Sequence, residues 1–159
     1  MSVVDEVAQA NERYASGFAK GGLPVPPGRK FAVVTCMDAR LDPARFLGLE
    51  EGDAHVIRNA GGLVNDETIR SLVISHHLLG TQEAIVIGHT DCGMLNFTNA
   101  DLHEQLGPES EAIDFQPFSD LAERIRRSVE TIRSHPLLPD SFGATGFVYD
   151  VSSGRIAPV

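Results

Sequence analysis

The chain alternates short apolar runs with longer amphipathic stretches. Phe31-Ala32-Val33-Val34-Thr35 is continuous, apolar and rich in β-branched residues, which predicts a buried strand. The stretches 54–58, 83–88 and 146–151 predict three more on the same grounds. Between them the period changes to that of a helix. Val3, Val7, Ala10 and Tyr14 mark an amphipathic helix over residues 2–17, and Ile69, Leu72, Val73 and Leu79 mark another over 66–79, with Gly80 at its end. Asp42 and Pro43 are the N-cap and first residue of a short helix reaching Leu47. Residues 105–117, with Gly107, Pro108 and Pro117, predict a loop. Pro117 then opens a helix with an apolar stripe of Phe118, Leu121, Ala122, Ile125, Val129 and Ile132, ended by Pro136. Asp120/Arg124 and Glu123/Arg127 fall at i,i+4 on its charged side. Strands alternating with helices predict an α/β fold: a mainly parallel central β-sheet flanked by helices, preceded by an N-terminal helical arm.

At 159 residues the chain suits one domain over residues 1–159, of which 1–28 form the N-terminal helix and a Pro/Gly-rich arm. The segment from Gly21 to Gly28 holds three prolines and forces an irregular connection. The first helix is therefore either an arm that embraces a partner subunit or an element packed on its own domain; the pattern favours neither. A formal net charge of −9 without any Lys/Arg cluster argues against nucleic-acid and anionic-membrane partners. Arg124, Arg126, Arg127 and Arg133 are interleaved with Asp120, Glu123 and Glu130, which reads as a solvated helix face. No stretch is long and apolar enough to span a bilayer, and the first twenty residues lack a continuous apolar region. A cytoplasmic location is expected, where two cysteines are thiols or metal ligands rather than a disulfide.

Those two cysteines fall just past the ends of predicted strands. Cys36 follows the first, in Cys36-Met37-Asp38-Ala39-Arg40; His89 and Cys92 follow the third, in His89-Thr90-Asp91-Cys92-Gly93. In open parallel sheets, ligands bind beyond the carboxyl ends of the strands, where strand order reverses. If the order begins 2-1-3, Cys36 faces His89 and Cys92 across that crevice. Two thiolates and an imidazole suit zinc, and three ligands leave the fourth position open. Asp38 lies within reach of that position, and Arg40 can hold it in a bidentate pair. Singly, each residue is ordinary: a small buried hydrophobe, a hydrogen-bonded histidine, a solvated ion pair. Their conjunction points to a metal site and leaves the reaction open.

The run Cys36-x-Asp38-x-Arg40, then Arg58-Asn59-Ala60-Gly61, then His89-x-x-Cys92-Gly93, resembles the signature of the beta-class carbonic anhydrases, in the compact bacterial form. The resemblance covers roughly residues 30–100 closely. It implies a Zn2+ enzyme, a carbonic anhydrase, that reversibly hydrates carbon dioxide to bicarbonate and a proton by a zinc-bound hydroxide. Cys36, His89 and Cys92 are then the zinc ligands. Asp38 orients the hydroxide, or takes the fourth position in a closed form, and Arg40 holds it off the metal. The resemblance also implies a homodimer or a dimer of dimers, with the cleft at the subunit interface. Plant-type members carry a glutamine about nine residues before the first zinc cysteine; here that region holds Pro26 and Pro27. Backbone N–H groups of Gly61, Gly62 and Gly93 are the expected substitutes for that contact to substrate, because glycine permits close approach. Two other functions fit the same residues: hydrolysis of carbonyl sulfide or carbon disulfide on this scaffold, and a non-catalytic zinc or redox-sensing domain.

Overall fold

The structure, a computed structural model, describes residues 2–159. Its strands are β1 (Phe31–Cys36), β2 (Ala54–Asn59), β3 (Glu83–His89), β4 (Gly143–Tyr149) and β5 (Ile156–Pro158). Its helices are α1 (Val3–Ser16), α2 (Pro43–Leu47), α3 (Asp66–Leu79), α4 (Asn99–Leu106) and α5 (Leu121–Arg133). The strands form one sheet in the order β2-β1-β3-β4-β5. The first four are parallel, and β5 adds on antiparallel to β4. The α/β fold expected from the sequence is therefore present.

Alternation along β1 explains the two faces of the sheet. Ala32 and Val34, with Ala84 and Val86 of β3, pack under Ile69 and Leu72 of α3 and Ile125 and Ile132 of α5. Phe31 and Val33, with Ile87, pack on the other face against Phe46, Leu47 and Tyr149. All of β1 is buried, as its uninterrupted apolar run requires. Glycines set how closely α5 approaches. A Cβ on Gly88 or Gly146 would lie 2.7 Å and 2.5 Å from the nearest side-chain carbons of Leu121 and Ile125 respectively.

Several boundaries differ from the expectation. α5 begins at Leu121, with the Asp120 side chain accepting from the Glu123 N–H, so Pro117 and Phe118 belong to the loop before it. Asp120 is a cap rather than a partner of Arg124. β4 spans Gly143–Tyr149, not 146–151, because pairing with β3 starts at Glu83↔Gly143. α4 and β5 carry weak patterns and were not expected. The N-terminal helix presents every residue to solvent: Val3, Val4 and Val7 are 74%, 76% and 61% exposed. Near its end, Tyr14 hydrogen-bonds Glu51, and Lys20, just beyond, pairs with Glu50 and Glu51. Of the two sequence readings for this helix, packing on its own core is not what the structure has. No helix among the described residues is long and apolar enough to cross a membrane.

Gly146→Val is expected to overfill the contact between β4 and α5 and to cost about 2 kcal/mol. Chemical denaturation measures this as a lower midpoint with unchanged slope; an unaltered midpoint would show that Ile125 can move aside freely.

Candidate metal centre

β1 and β3 are neighbours, in register from Phe31↔Glu83 to Thr35↔Ile87. The strand order reverses between them, since β1 connects outward to β2 and the chain then crosses back to β3. Cys36 ends β1 and His89 ends β3. The Thr35 hydroxyl donates to the Ile87 carbonyl at 2.9 Å and ties the two ends together. Past His89 the chain turns sharply. Thr90 N–H still donates to Tyr149, Asp91 takes a left-handed conformation at φ 53°, and Cys92 returns beneath the strand ends. The ligand atoms of Cys36, His89 and Cys92 all lie within 4.8 Å of one another, and all three residues are buried. A tetrahedral zinc needs sulfur–sulfur separations of about 3.8 Å, within that spread.

Two features show that this cluster fits a metal ion. His89 Nδ1 lies 2.9 Å from the Thr90 carbonyl, so it carries the proton and donates it. Nε2 is then the lone-pair nitrogen, and it is fully buried without a hydrogen-bond partner among the described residues. A buried acceptor left this way is costly unless something binds it. The two sulfurs are also in mutual contact, which drives Cys36 down and Cys92 up, toward one thiolate beside one thiol. Binding a metal would displace the remaining proton.

Asp38 stands beside the cluster, held by Arg40. Arg40 Nε and Nη2 donate to its two oxygens at 3.0 and 2.8 Å, and the Arg40 N–H donates to Oδ1 at 2.9 Å. Asp38 Oδ2 is 3.8 Å from His89 Nε2, close to the cluster but turned onto arginine. The guanidinium and its backbone N–H hold the Asp38 carboxyl well below the usual carboxylate range, and Asp38, with Asp91, raises Arg40 in return.

Asp91 was not singled out from the sequence, and Arg58 and Asn59 stood there only in the Arg58-Asn59-Ala60-Gly61 stretch of the family signature, with no role given to either. Asp91 grips Arg40 from the opposite side, through Oδ2 at 2.7 Å and its carbonyl at 2.9 Å. Arg58 donates to the Cys36 and Asp38 carbonyls at 2.9 and 2.7 Å and fixes the loop carrying both residues. Asn59 clasps the following turn by accepting from the Leu63 N–H at 2.6 Å and donating to the Leu63 carbonyl at 2.9 Å. That turn holds Gly61 and Gly62, both left-handed at φ 79° and 60°. A Cβ on Gly62 would lie 2.6 and 2.7 Å from the Thr35 and Cys36 backbone, so only glycine lets the turn sit against the end of β1. Gly93 borders open space. Leu41 and Met94, with Leu95, Phe97 and Phe118, form the apolar surround of the cysteines. Leu41, Leu95 and Phe97 are apolar residues near the motifs in sequence; Val64, equally near, packs instead under α3 and α5. Arg124 departs from the expected solvated face: it is 8% exposed, and its Nη2 donates to the Gly61 carbonyl. Its position three residues after Leu121 and four before the buried Ser128 puts it on the inner side of α5. That spacing was the available signal.

A mainly parallel α/β sheet with a buried Cys2His cluster at its switch point marks an α/β protein whose residues could hold a metal ion. Comparison with known proteins narrows it. The family model for carbonic anhydrase matches residues 31–115. Beta-carbonic anhydrase 1 of Mycobacterium tuberculosis is 46% identical, with 100% of this chain and 99% of that protein covered. The crystal structure of carbonic anhydrase from Streptococcus mutans superposes with a TM-score of 0.93 at 44% identity, covering 100% of this chain and 98% of the other. A carbon disulfide hydrolase of an Acidianus species is 36% identical over 96% of this chain and 87% of its own length. The chain belongs to the beta-class carbonic anhydrases, a family of enzymes.

Protein refolded with cobalt is expected to bind one equivalent per chain with thiolate-to-metal absorption, and His89→Ala to retain less than a tenth of it after dialysis. Retention of a full equivalent by the variant would remove Nε2 from the site.

Proposed function

We propose that this chain catalyses the reversible hydration of carbon dioxide to bicarbonate and a proton, with zinc held by Cys36, His89 and Cys92. The observation that carries the reading is the buried, unpartnered Nε2 of His89, facing two sulfurs beside a carboxylate held off by arginine, in a member of this family. Three protein donors leave a fourth position free, which suits a catalytic centre better than a closed structural one. When bound, zinc supplies Lewis acidity to a water, moderated by the charge of the two thiolates.

The chain's own residues do the rest. Asp38 accepts a hydrogen bond from the nucleophilic water and turns its lone pair toward carbon dioxide. Arg40 keeps Asp38 in that role by occupying both carboxylate oxygens. The apolar surround of Leu41, Met94, Leu95 and Phe97 suits a small nonpolar substrate. Gly93, with open space before it, is the glycine of the three that suits the bicarbonate side; Gly61 packs against Met94 and Phe118, and Gly62 lies tight against the Thr35 and Cys36 backbone. In the closed alternative Asp38 would turn to the fourth position, leaving Arg40 paired with Asp91 alone.

Hydrolysis of carbon disulfide or carbonyl sulfide is the second reading, favoured by the Acidianus relative. Carbon dioxide is preferred because the mycobacterial relative is more similar, 46% against 36% identical, and matches nearly end to end. Assaying all three substrates on one preparation separates the readings: carbon disulfide turnover exceeding carbon dioxide hydration would overturn the choice. We further propose a homodimer, supported by the bare apolar residues of α1 and the exposed Val56 on edge strand β2. Deleting residues 2–17 is expected to lower the sedimentation mass from dimer to monomer; an unchanged mass would show that α1 does not bridge subunits.

Asp38→Asn and Arg40→Ala are each expected to reduce kcat by at least about 100-fold with zinc content unchanged, since each removes an orienting group. Equal loss of zinc would make the pair structural. Because Arg40 depresses the Asp38 carboxyl, its contribution is present at and above the ordinary carboxylate pKa and is lost only as pH falls below it. The acid limb of the rate profile therefore does not come from Asp38. Activity is expected to rise from pH 6 to pH 9, and a profile flat over that range would overturn the assignment of the nucleophile.

A further inference from the structure

Arg124 is a cation buried in the first turn of α5 without a carboxylate partner among the described residues. Its Nη2 donates to the Gly61 carbonyl, and its guanidinium carbon lies 5.2 Å from the centre of the Phe118 ring. Nε and Nη1 are buried with no hydrogen-bond partner among the described residues. Burying an unpaired guanidinium is costly, and an apolar side chain would fill the same space at less cost. Burial pushes the guanidinium down to about 10.

The turn at Gly61 and Gly62 connects Arg124 to the metal centre. The Gly61 carbonyl accepts from Arg124, and Gly62, the next residue, lies so close to the end of β1 that a Cβ there would meet the Thr35 and Cys36 backbone at 2.6 and 2.7 Å. Gly61 sits at φ 79°, packed so that a Cβ would meet Met94 and Phe118 side chains at 3.1 and 3.2 Å. Its orientation is therefore set from outside the turn, by the guanidinium and the Phe118 ring, and passed through Gly62 to the Cys36 backbone. We propose that Arg124 is a positioning residue for the metal centre: it holds the Gly61–Gly62 turn against the end of β1 and so fixes the backbone that carries Cys36. The inference rests on reading Cys36, His89 and Cys92 as the metal set. It assigns a role to α5, an element that contributes no residue to that set.

The test compares Arg124→Met, which removes the donor, with Arg124→Lys, which retains one of similar reach. Zinc affinity is read by competition with a chromophoric chelator, and ligand geometry by the visible spectrum of the cobalt-loaded protein. Arg124→Met is expected to bind zinc at least tenfold more weakly, with a shifted thiolate-to-cobalt band, and Arg124→Lys to recover most of both. Should Arg124→Met fail to fold, Phe118→Leu keeps the guanidinium and removes the ring that seats it; a roughly threefold loss and a smaller spectral shift are expected. A lower melting temperature with unchanged affinity and spectrum would make Arg124 merely structural and overturn the proposal, as would a lysine variant no better than methionine, or an unaltered Phe118→Leu. A wild-type chain that takes up neither metal would overturn the reading of the site itself, and the inference with it.

Discussion

The parallel pairing of β1 with β3 is the constraint on which the centre depends. Strand ends in register bring residues 53 positions apart to one place, Cys36 on one side and His89 on the other. The pairing is secured by burial on both faces of the sheet and by the Thr35 hydroxyl reaching across to Ile87. A slip of one residue would turn every side chain to the opposite face. Cys36 would then point away from the crevice, and β1 would lose its fit beneath α3 and α5.

Around that fixed pair, the rest of the centre is a set of backbone restraints. Arg58 holds the loop after β1 by two carbonyls, Asn59 clasps the glycine turn, and Gly62 lies against Thr35 and Cys36 where no side chain would fit. Arg40 is held from both sides, by Asp38 and by Asp91. The carboxylate of Asp91 is 71% exposed, so its ion pair is screened and weak, while the Asp91 carbonyl adds a second grip on the same guanidinium. Arg40 is thereby poised between two acceptors, and Asp38 stays beside the metal site without entering it.

Most of the sheet was legible because its strands are apolar, β-branched runs bounded by glycine and polar turns; β1, β2 and β3 each differ from expectation by one residue at the C-terminal end. The elements missed carry little pattern. α4 has only Leu102 and Leu106 as large apolar residues and rests on its Thr98–Asp101 capping box. β4 begins in Gly143-Ala144-Thr145-Gly146, where a weak strand former is imposed by pairing with β3 and by α5 above it. The Cys36, His89 and Cys92 cluster was legible because ligand chemistry and strand-end position coincide at these residues. Asp91 and Arg124 were not, since one acts partly through its backbone carbonyl and the other is a charge where composition suggests solvent. Only the helical phase of Arg124 relative to Leu121 and Ser128 marked it as inward-facing.

The hydrogen bond from His89 Nδ1 to the Thr90 carbonyl has a kinetic side. An imidazole free to rotate or exchange tautomers must find one orientation and one protonation pattern at the moment a metal arrives. Here the neighbouring peptide has already made that selection, and the ring waits with a single lone pair exposed to the cluster. Capture of an ion would then need no turning of the histidine ring, only the departure of protons from the cluster. A metal arriving at the cluster would thus find the imidazole already oriented by folding.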